Sequence, residues 1–506
     1  MSVVTPAASV LLSRGPGSRE IYAILRGRHL RFFGGFWAFP GGKVGALDLE
    51  CDDAEHSART TACRELFEET GILIARHSDG TFPSPCPALD ECRRALLAET
   101  IPFGRILSER GLTIRAEDFA RIGAITTPDF APVRYATTFF VAHVPPNQQP
   151  SIWPGELEHG EWIDVGELLS RWRRGELMLT PPSVMSLELL GDRAIDEAPT
   201  LLAPMLTRLA SGAMHPIFFA PSVQMIPLKT VALPPSTHTN AYLIGNGPRY
   251  LLDPGADDPA EQRHLFELLD QETQAGRPLT AIVLSHHHPD HIGAANACAV
   301  RYGVPIWGHD LTARKLDGRI RISRHLHDGD DLPLGPHPGT GVPWHITALH
   351  TPGHASGHLT FFDRAFGLLY VGDMLSTVTS IVITPPDGDL PIYLQSLQRL
   401  RQLPARMLLP AHGNVSAQPM QAIDAALEHR AKRERQLLEA LTEGPTTIDD
   451  LTQRLYRGTP EPIMRFARAQ VLAGLLKLQA EARVQPPVGE MWSLAPATGI
   501  RSEPRP

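Results

Sequence analysis

The sequence predicts an α/β and α+β multidomain protein, on three observations. The chain has 506 residues, room for several domains of ordinary size. Its middle, 222–418, alternates β-rich runs with helical stretches, the pattern of layered α/β folds. Its end, 422–495, reads as three helices and a short β-wing, a small winged-helix-like unit. The remaining segment, 1–205, mixes strands with one helix of unusual charge.

Composition narrows the function classes. Apolar residues make up 42% and charged residues 20%, so each unit can bury a core. The net charge of −8 supplies no global basic field for nucleic acid or a membrane surface. Five cysteines, Cys51, Cys63, Cys86, Cys92 and Cys298, are odd in number and include no CxxC pair. That argues against a disulfide framework or a thiolate zinc cluster and for a reducing, cytoplasmic compartment. "MSVVTPAASVLLSRG" lacks a basic start before a long apolar core, and no apolar run has bilayer length, so neither a signal peptide nor a membrane partner is expected.

In the first segment "AASVLLSR" and "REIYAILRGR" read as strands around a Gly/Pro turn, and "RIGAITTPDF" and "VRYATTFFVAHV" as two more. A glycine-rich loop, "FPGGKVGALD", precedes "AEHSARTTACRELFEETGIL", a helix by its periodicity that Gly71 stops. Glu65, Glu68 and Glu69 stand at i, i+3 and i+4, so three carboxylates share a face and destabilise the helix unless something neutralises them. A solvated acidic face is the plain alternative for such a run. Against it stand the "FPGG" loop, which can bring backbone close to a ligand, and Arg64 beside the cluster. "RLASGAMHPIFFAPS" then reads as a linker.

Arg64, Glu65, Glu68, Glu69 and Gly71 resemble the second half of the Nudix box, RExxEExG. The resemblance implies an α/β/α Nudix sandwich whose glutamates hold Mg²⁺ or Mn²⁺ against a diphosphate, with Arg64, Glu68 and Glu69 in catalytic roles. The front half departs from the motif. Gly42 lies 22 residues before Arg64 where the box expects about 14, an insertion of about eight. The register of the upstream glutamate falls on His56, with Glu55 beside it as the substitute. This expanded box, followed by "GEWIDVGELLSRWRRGELMLTPPSVMSLELL", is similar to the coenzyme A diphosphatase branch of the family. The implied substrate is a nucleoside diphosphate derivative such as coenzyme A; a domain that only binds nucleotide is the alternative.

In the second segment "AYLIG", "RYLLD", "TAIVLS", "HITALH" and "GLLYVGD" read as strands, several ending directly in His or Asp, where scaffolded sites sit. "TAIVLS" delivers "HHHPDH": His286 and His288 point one way by alternation, and Asp290 and His291 follow in the turn. Imidazoles with a carboxylate suit Zn²⁺ or another divalent transition metal. His354 in "HTPGHASGH", Asp373 closing "LLYVGD" and His412 in "LLPAHG" extend the pattern. In order and spacing these motifs resemble the metallo-β-lactamase superfamily over about 200 residues.

That resemblance implies an αββα sandwich with a dinuclear site. His286, His288 and His354 would take one ion; Asp290, His291 and His412 the other; Asp373 would bridge them, and Asp290 also counts as catalytic. A metal-bound hydroxide would be the nucleophile. An aspartate at the bridging step is similar to glyoxalase II, RNase Z and lactamase-like endoribonucleases rather than to true β-lactamases. His287 points away from its neighbours, and His350 and His358 are expected in supporting places.

The tail, "HRAKRERQLLEAL" through "ARAQVLAGLLKLQAEARV", resembles the winged-helix tail of lactamase-like endoribonucleases. Arg430, Lys432, Arg433 and Arg435 form a basic run, either a solvated helix face or a contact to single-stranded RNA. Its few aromatics, Tyr456, Phe466 and Trp492, offer no evident stacking platform. The expectation is therefore a dinuclear hydrolase of the zinc type joined to a Mg²⁺-dependent Nudix domain. For the second site an RNA phosphodiester and a glyoxalase II-like thioester stand as alternatives, with a mononuclear iron oxygenase of the same fold behind them. Oligomeric state is not legible in the sequence.

Overall fold

The computed structural model of the protein describes residues 3–30, 32–45, 48, 53–131 and 133–496. Cys51 and most of the insertion ahead of the acidic helix lie outside these residues.

β1 (Val4–Ser13), β2 (Glu20–Arg26), β3 (Trp37–Ala38), β4 (Gly41–Lys43), β5 (Ala120–Thr126), β6 (Arg134–His143) and β7 (Leu157–Asp164) form the first sheet. Its path is β3-β2-β1-β6-β5, with β4 on β1 and β7 on β2, and β1 runs parallel to β6 from Val4↔Arg134 to Ser13↔His143. Alternation along β1 sends Ala8, Val10 and Leu12 into one core and Leu11 into the other. The first core holds Ala58, Ala62 and Leu66 of the acidic helix, Ala54–Thr70. The second holds helices Val165–Arg173, Pro181–Leu190 and Ala198–Ala210. Helices on both faces make the α/β/α sandwich. As the sequence predicts, Gly71 stops the acidic helix in the left-handed region (φ 75°), its N–H bonded to Phe67 O at 2.9 Å.

β8 (Ile217–Ala220), β9 (Val223–Lys229), β10 (His238–Ile244), β11 (Tyr250–Leu252), β12 (Ala281–Val283), β13 (Ile306–Gly308) and β14 (Ile322–His325) form a second sheet in sequential order. β15 (Asp331–Pro336), β16 (Pro343–His350), β17 (Leu359–Asp363), β18 (Leu368–Gly372) and β19 (Met407–Pro410) form a third, also sequential. The two stack on a shared core: Tyr242, Tyr250, Leu252 and Val283 from one meet Trp344, Ile346, Phe361, Tyr370 and Leu409 from the other. Helices cover both outer faces, through Leu265, Leu269 and Cys298 on the second sheet and Tyr393, Leu397 and Leu400 on the third. This is the αββα sandwich. The segment read as a linker is corrected in part: its apolar "IFFA" is β8, antiparallel to β9, because Ile217, Phe219 and Ala220 bury themselves in the shared core.

β20 (Thr446–Thr447) pairs with β21 (Met491–Trp492) around helices Ile448–Leu455 and Glu461–Ala480, the expected helical unit with its wing. Thr447 caps its helix, its side chain accepting from Asp450 N at 3.1 Å. The first segment packs on the second: Phe33 and Phe36 join the shared core against Phe219, and Asp129 pairs with Lys229 at 3.4 Å. No helix among the described residues is long and apolar enough to cross a membrane.

Candidate metal centre and acidic helix

The site sits beyond the carboxyl ends of strands, where open α/β sheets place ligands. The buried run Ala281–Leu284 brings Ser285 and His286 to the edge of the second sheet. Pro289 opens the short helix Pro289–Ile292, with Asp290 in its first turn and His291 buried. Gly255 lets the loop after β11 lie on this helix; a Cβ there would meet Asp290 O at 1.8 Å. β18 ends at Gly372 and presents Asp373; β19 ends at Pro410, two residues before His412; His354 comes from the turn between β16 and β17.

The structure brings these residues together in two groups. Ligand atoms of His286, His288, His354 and Asp373 lie within 4.8 Å of one another, as do those of Asp290, His291 and His412. His288 Nδ1 is 2.9 Å from both His286 Nε2 and His354 Nε2. Asp373 stands between the groups. Its Oδ2 is 3.5 Å from His354 Nε2, while its Oδ1 is 3.5 Å from His291 Nε2 and 3.3 Å from His412 Nε2. Asp290 Oδ2 completes the second group 3.4 Å from His412 Nε2.

Electrostatics favour cations here. Burial, reinforced by neighbouring imidazoles, holds His286 well below its ordinary pKa and His288 at about 3, so both rings are neutral and free to donate lone pairs. Burial likewise lowers His354. Burial would raise Asp373, but His412, His291 and His354 outweigh it and hold the carboxyl well below its usual range. His291 Nε2 and Asp373 Oδ1 are buried without a hydrogen-bond partner although they face each other. Unpartnered buried donors of nitrogen and carboxylate type fit a pair of divalent transition-metal ions.

Three of the rings are held from behind by a carboxylate or a carbonyl. His291 Nδ1 lies 2.9 Å from Asp253 Oδ2, His354 Nδ1 2.8 Å from Val382 O, and His412 Nδ1 2.9 Å from His238 O, which turns Nε2 of all three toward the centre. Asp253 also accepts from Ser285 N at 2.7 Å and Ser285 Oγ at 2.6 Å. Sequence reasoning missed Asp253, although "RYLLD" shows the same apolar run ending in a carboxylate as "LLYVGD". His358 accepts from Asp373 N at 3.1 Å through Nε2, a supporting place; His350 stacks on His309 at 4.2 Å, and His287 turns toward Asp387, 3.8 Å away.

The acidic helix is built differently. Arg64 is its hub: Nη1 reaches Glu68 at 2.9 Å, Nη2 reaches Glu65 at 3.0 Å, and Nε and Nη2 clasp Asp48 at 3.0 and 2.9 Å. Glu69 turns away to accept from Gly41 N at 2.8 Å, and Glu65 lies so close to Gly42 that a Cβ there would meet it at 2.3 Å. The "FPGG" loop therefore does bring backbone onto the carboxylates. Burial raises all three glutamates, Glu68 to about 7. Among the described residues the ligand atoms of Glu65, Glu68 and Glu69 form no third converging group. Glu55 pairs with Arg59 at 2.8 Å at the surface, whereas Asp48, inside the insertion and almost fully buried, holds Arg64. No signal in the sequence singles out Asp48, because the insertion interrupts the motif.

Known families match the same three regions. Residues 235–412 match the metallo-β-lactamase superfamily, 4–97 the NUDIX domain, and 447–492 the β-lactamase-associated winged helix domain. This chain joins a Nudix domain to a metallo-β-lactamase superfamily domain. Both are hydrolase families. Among curated relatives, the β-lactamase-like protein 2 homolog of Drosophila melanogaster is 27% identical over 56% of this chain and 93% of its own length. The atrochrysone carboxyl ACP thioesterase of Aspergillus chevalieri is 26% identical over 49% and 77%. The hydroxyacylglutathione hydrolase of a Chelativorans species is 26% identical over 45% and 86%.

Proposed function

We propose that the metallo-β-lactamase domain is a dinuclear hydrolase of thioesters and that the Nudix domain cleaves the diphosphate of a nucleotide such as coenzyme A. The observation that carries the first half is Asp373, with one oxygen toward each ligand group. His286, His288 and His354 would hold one ion, zinc in the first instance, Asp290, His291 and His412 the other, and Asp373 both. Bound there, such ions supply Lewis-acid stabilisation and activation of water. The chain's own part is orientation: Asp253, Val382 O and His238 O fix three rings before substrate arrives. Asp290, the more open carboxylate at 18% side-chain exposure against 12% for Asp373, is the one placed to take a proton from water.

Relatives named as a thioesterase and a hydroxyacylglutathione hydrolase support a thioester substrate. The RNA alternative loses support because two of the four basic residues of the tail helix are spent inside the protein. Arg430 binds Gln470 and Ile381 O, and Arg433 binds Gln436 and Leu455 O. In the Nudix domain Glu65, Glu68 and Glu69 would hold Mg²⁺ or Mn²⁺, with Arg64 neutralising the face between turnovers. Acyl-coenzyme A and S-acylglutathione offered to the zinc-loaded wild type and to Asp290→Ala test the first half: hydrolysis by the wild type alone is expected. Absence of thioester hydrolysis in the wild type removes it. Mg²⁺-dependent diphosphate hydrolysis that survives Glu68→Gln removes the second half.

A further inference from the structure

His354 is oriented by a backbone atom, the Val382 carbonyl. No substitution at residue 382 deletes that acceptor, so its direction depends on what holds the surrounding peptides. Both neighbouring carbonyls are gripped by C-terminal helices, Pro419–Leu441 and Glu461–Ala480. Arg430 donates through Nη2 to Ile381 O, and Gln470 donates through Nε2 to Ile383 O at 3.0 Å. The two grips are tied together, Arg430 Nη1 donating to Gln470 Oε1 at 2.6 Å. Ile381 and Ile383 are buried with Ile423 and Ala473 from those same helices, so the segment is packed as well as bonded. The Arg430 guanidinium also stands over the Tyr393 ring, 5.2 Å from its centre, and Tyr393 Oη donates to Met374 O at 2.8 Å, one residue past Asp373.

We propose that the winged-helix tail is part of the metal site's support, with Arg430 and Gln470 as positioning residues that clamp Ile381–Ile383 and so fix the Val382 carbonyl on His354. The proposal rests on the dinuclear reading above. A ligand ring freed from its acceptor samples other orientations and loses basicity, and partners of this kind are worth about 10- to 100-fold in metal affinity. Arg430 then serves the site from inside, a task distinct from contact with a polyanion.

The test is made on the full chain. Gln470→Glu keeps the size of the side chain and its acceptor for Arg430 but sets an oxygen against Ile383 O. Arg430→Met removes the other grip, and Arg433→Met, which loses bonds only within the tail, is the control. Metal content after dialysis and Co²⁺ binding in competition with a chelator are read with the Co²⁺ absorption spectrum. Gln470→Glu and Arg430→Met are expected to hold one of the two ions about tenfold more weakly, with an altered spectrum, while Arg433→Met matches the wild type. Wild-type affinity and spectrum at both sites in Gln470→Glu would sink the clamp and leave the dinuclear reading standing. A wild-type protein that binds no Co²⁺ overturns both.

Discussion

The metal centre and the acidic helix both bury several titratable groups, yet they organise them in opposite ways. At the centre, side chains from the ends of β11, β12, β18 and β19 and from the β16–β17 turn point inward, and three of the rings, His291, His354 and His412, are held by a carboxylate or carbonyl behind them. On the helix, one element supplies all three glutamates; a single cation, Arg64, pairs with Glu65 and Glu68, while the Gly41 N–H holds Glu69. The first arrangement draws its groups from separate buried elements: His286, His288, Asp290 and His291 follow β12, while His354, Asp373 and His412 come from the β16–β17 turn, β18 and β19. The second is adjustable, because the loop ahead of the helix and the Arg64 hub set how close the carboxylates come.

That contrast can be broken or sharpened by substitution. The largest effect is expected from Asp373→Ala, which takes away the group facing both clusters. Hydrolysis at the metallo-β-lactamase domain should fall by about 10³-fold in steady-state assays, with diphosphate hydrolysis unchanged. If both activities fall together, the two sites are not independent. Glu68→Gln should show the converse, a loss of about 10²-fold or more confined to Mg²⁺-dependent diphosphate hydrolysis. Next in size is Asp253→Asn, which weakens the hold on His291 Nδ1 and Ser285 while sparing every ligand; metal affinity at the second group should drop about 10-fold, read by chelator competition.

The pH response should involve both sites. Glu68 is raised by burial from 4.5 to about 7, so the folded protein holds a proton that the unfolded chain has released between those values. Its contribution to stability is therefore lost as pH rises toward 7, and Mg²⁺ binding, which needs the ionised form, should strengthen over the same interval. Thermal shifts with Mg²⁺ should be larger at pH 8 than at pH 6. At the candidate metal centre burial keeps His288 neutral down to about 3, but Asp373 and Asp290 outweigh burial and raise His291 and His412, so metal binding there should also strengthen as pH rises. The smallest effect belongs to Glu55→Ala: Glu55 pairs with Arg59 at the surface, and no change in diphosphate hydrolysis is expected. A marked loss would return it to the site in place of Asp48.

Much of this architecture is written in local pattern. "TAIVLS" before "HHHPDH", "LLYVGD" and "LLPAHG" announce strands ending in His or Asp, and their periodicity needs no tertiary information. The i, i+3, i+4 spacing of Glu65, Glu68 and Glu69 and the stop at Gly71 are equally local. The pattern misleads where burial overrides composition, as in "IFFA", a strand inside a turn-rich stretch.

By itself, then, the sequence determined which side chains stand as candidate ligands and on which elements they ride, because strand and helix periods are properties of neighbouring residues. Only the tertiary structure decided what stands behind them. Val382 O reaches His354 across 28 residues, Gln470 reaches Ile383 across 87, and His412 meets His238 O across 174. These partners are backbone carbonyls or distant donors. Their approach depends on how sheets and helices stack, and every residue type carries the same carbonyl, so no local signature could mark them.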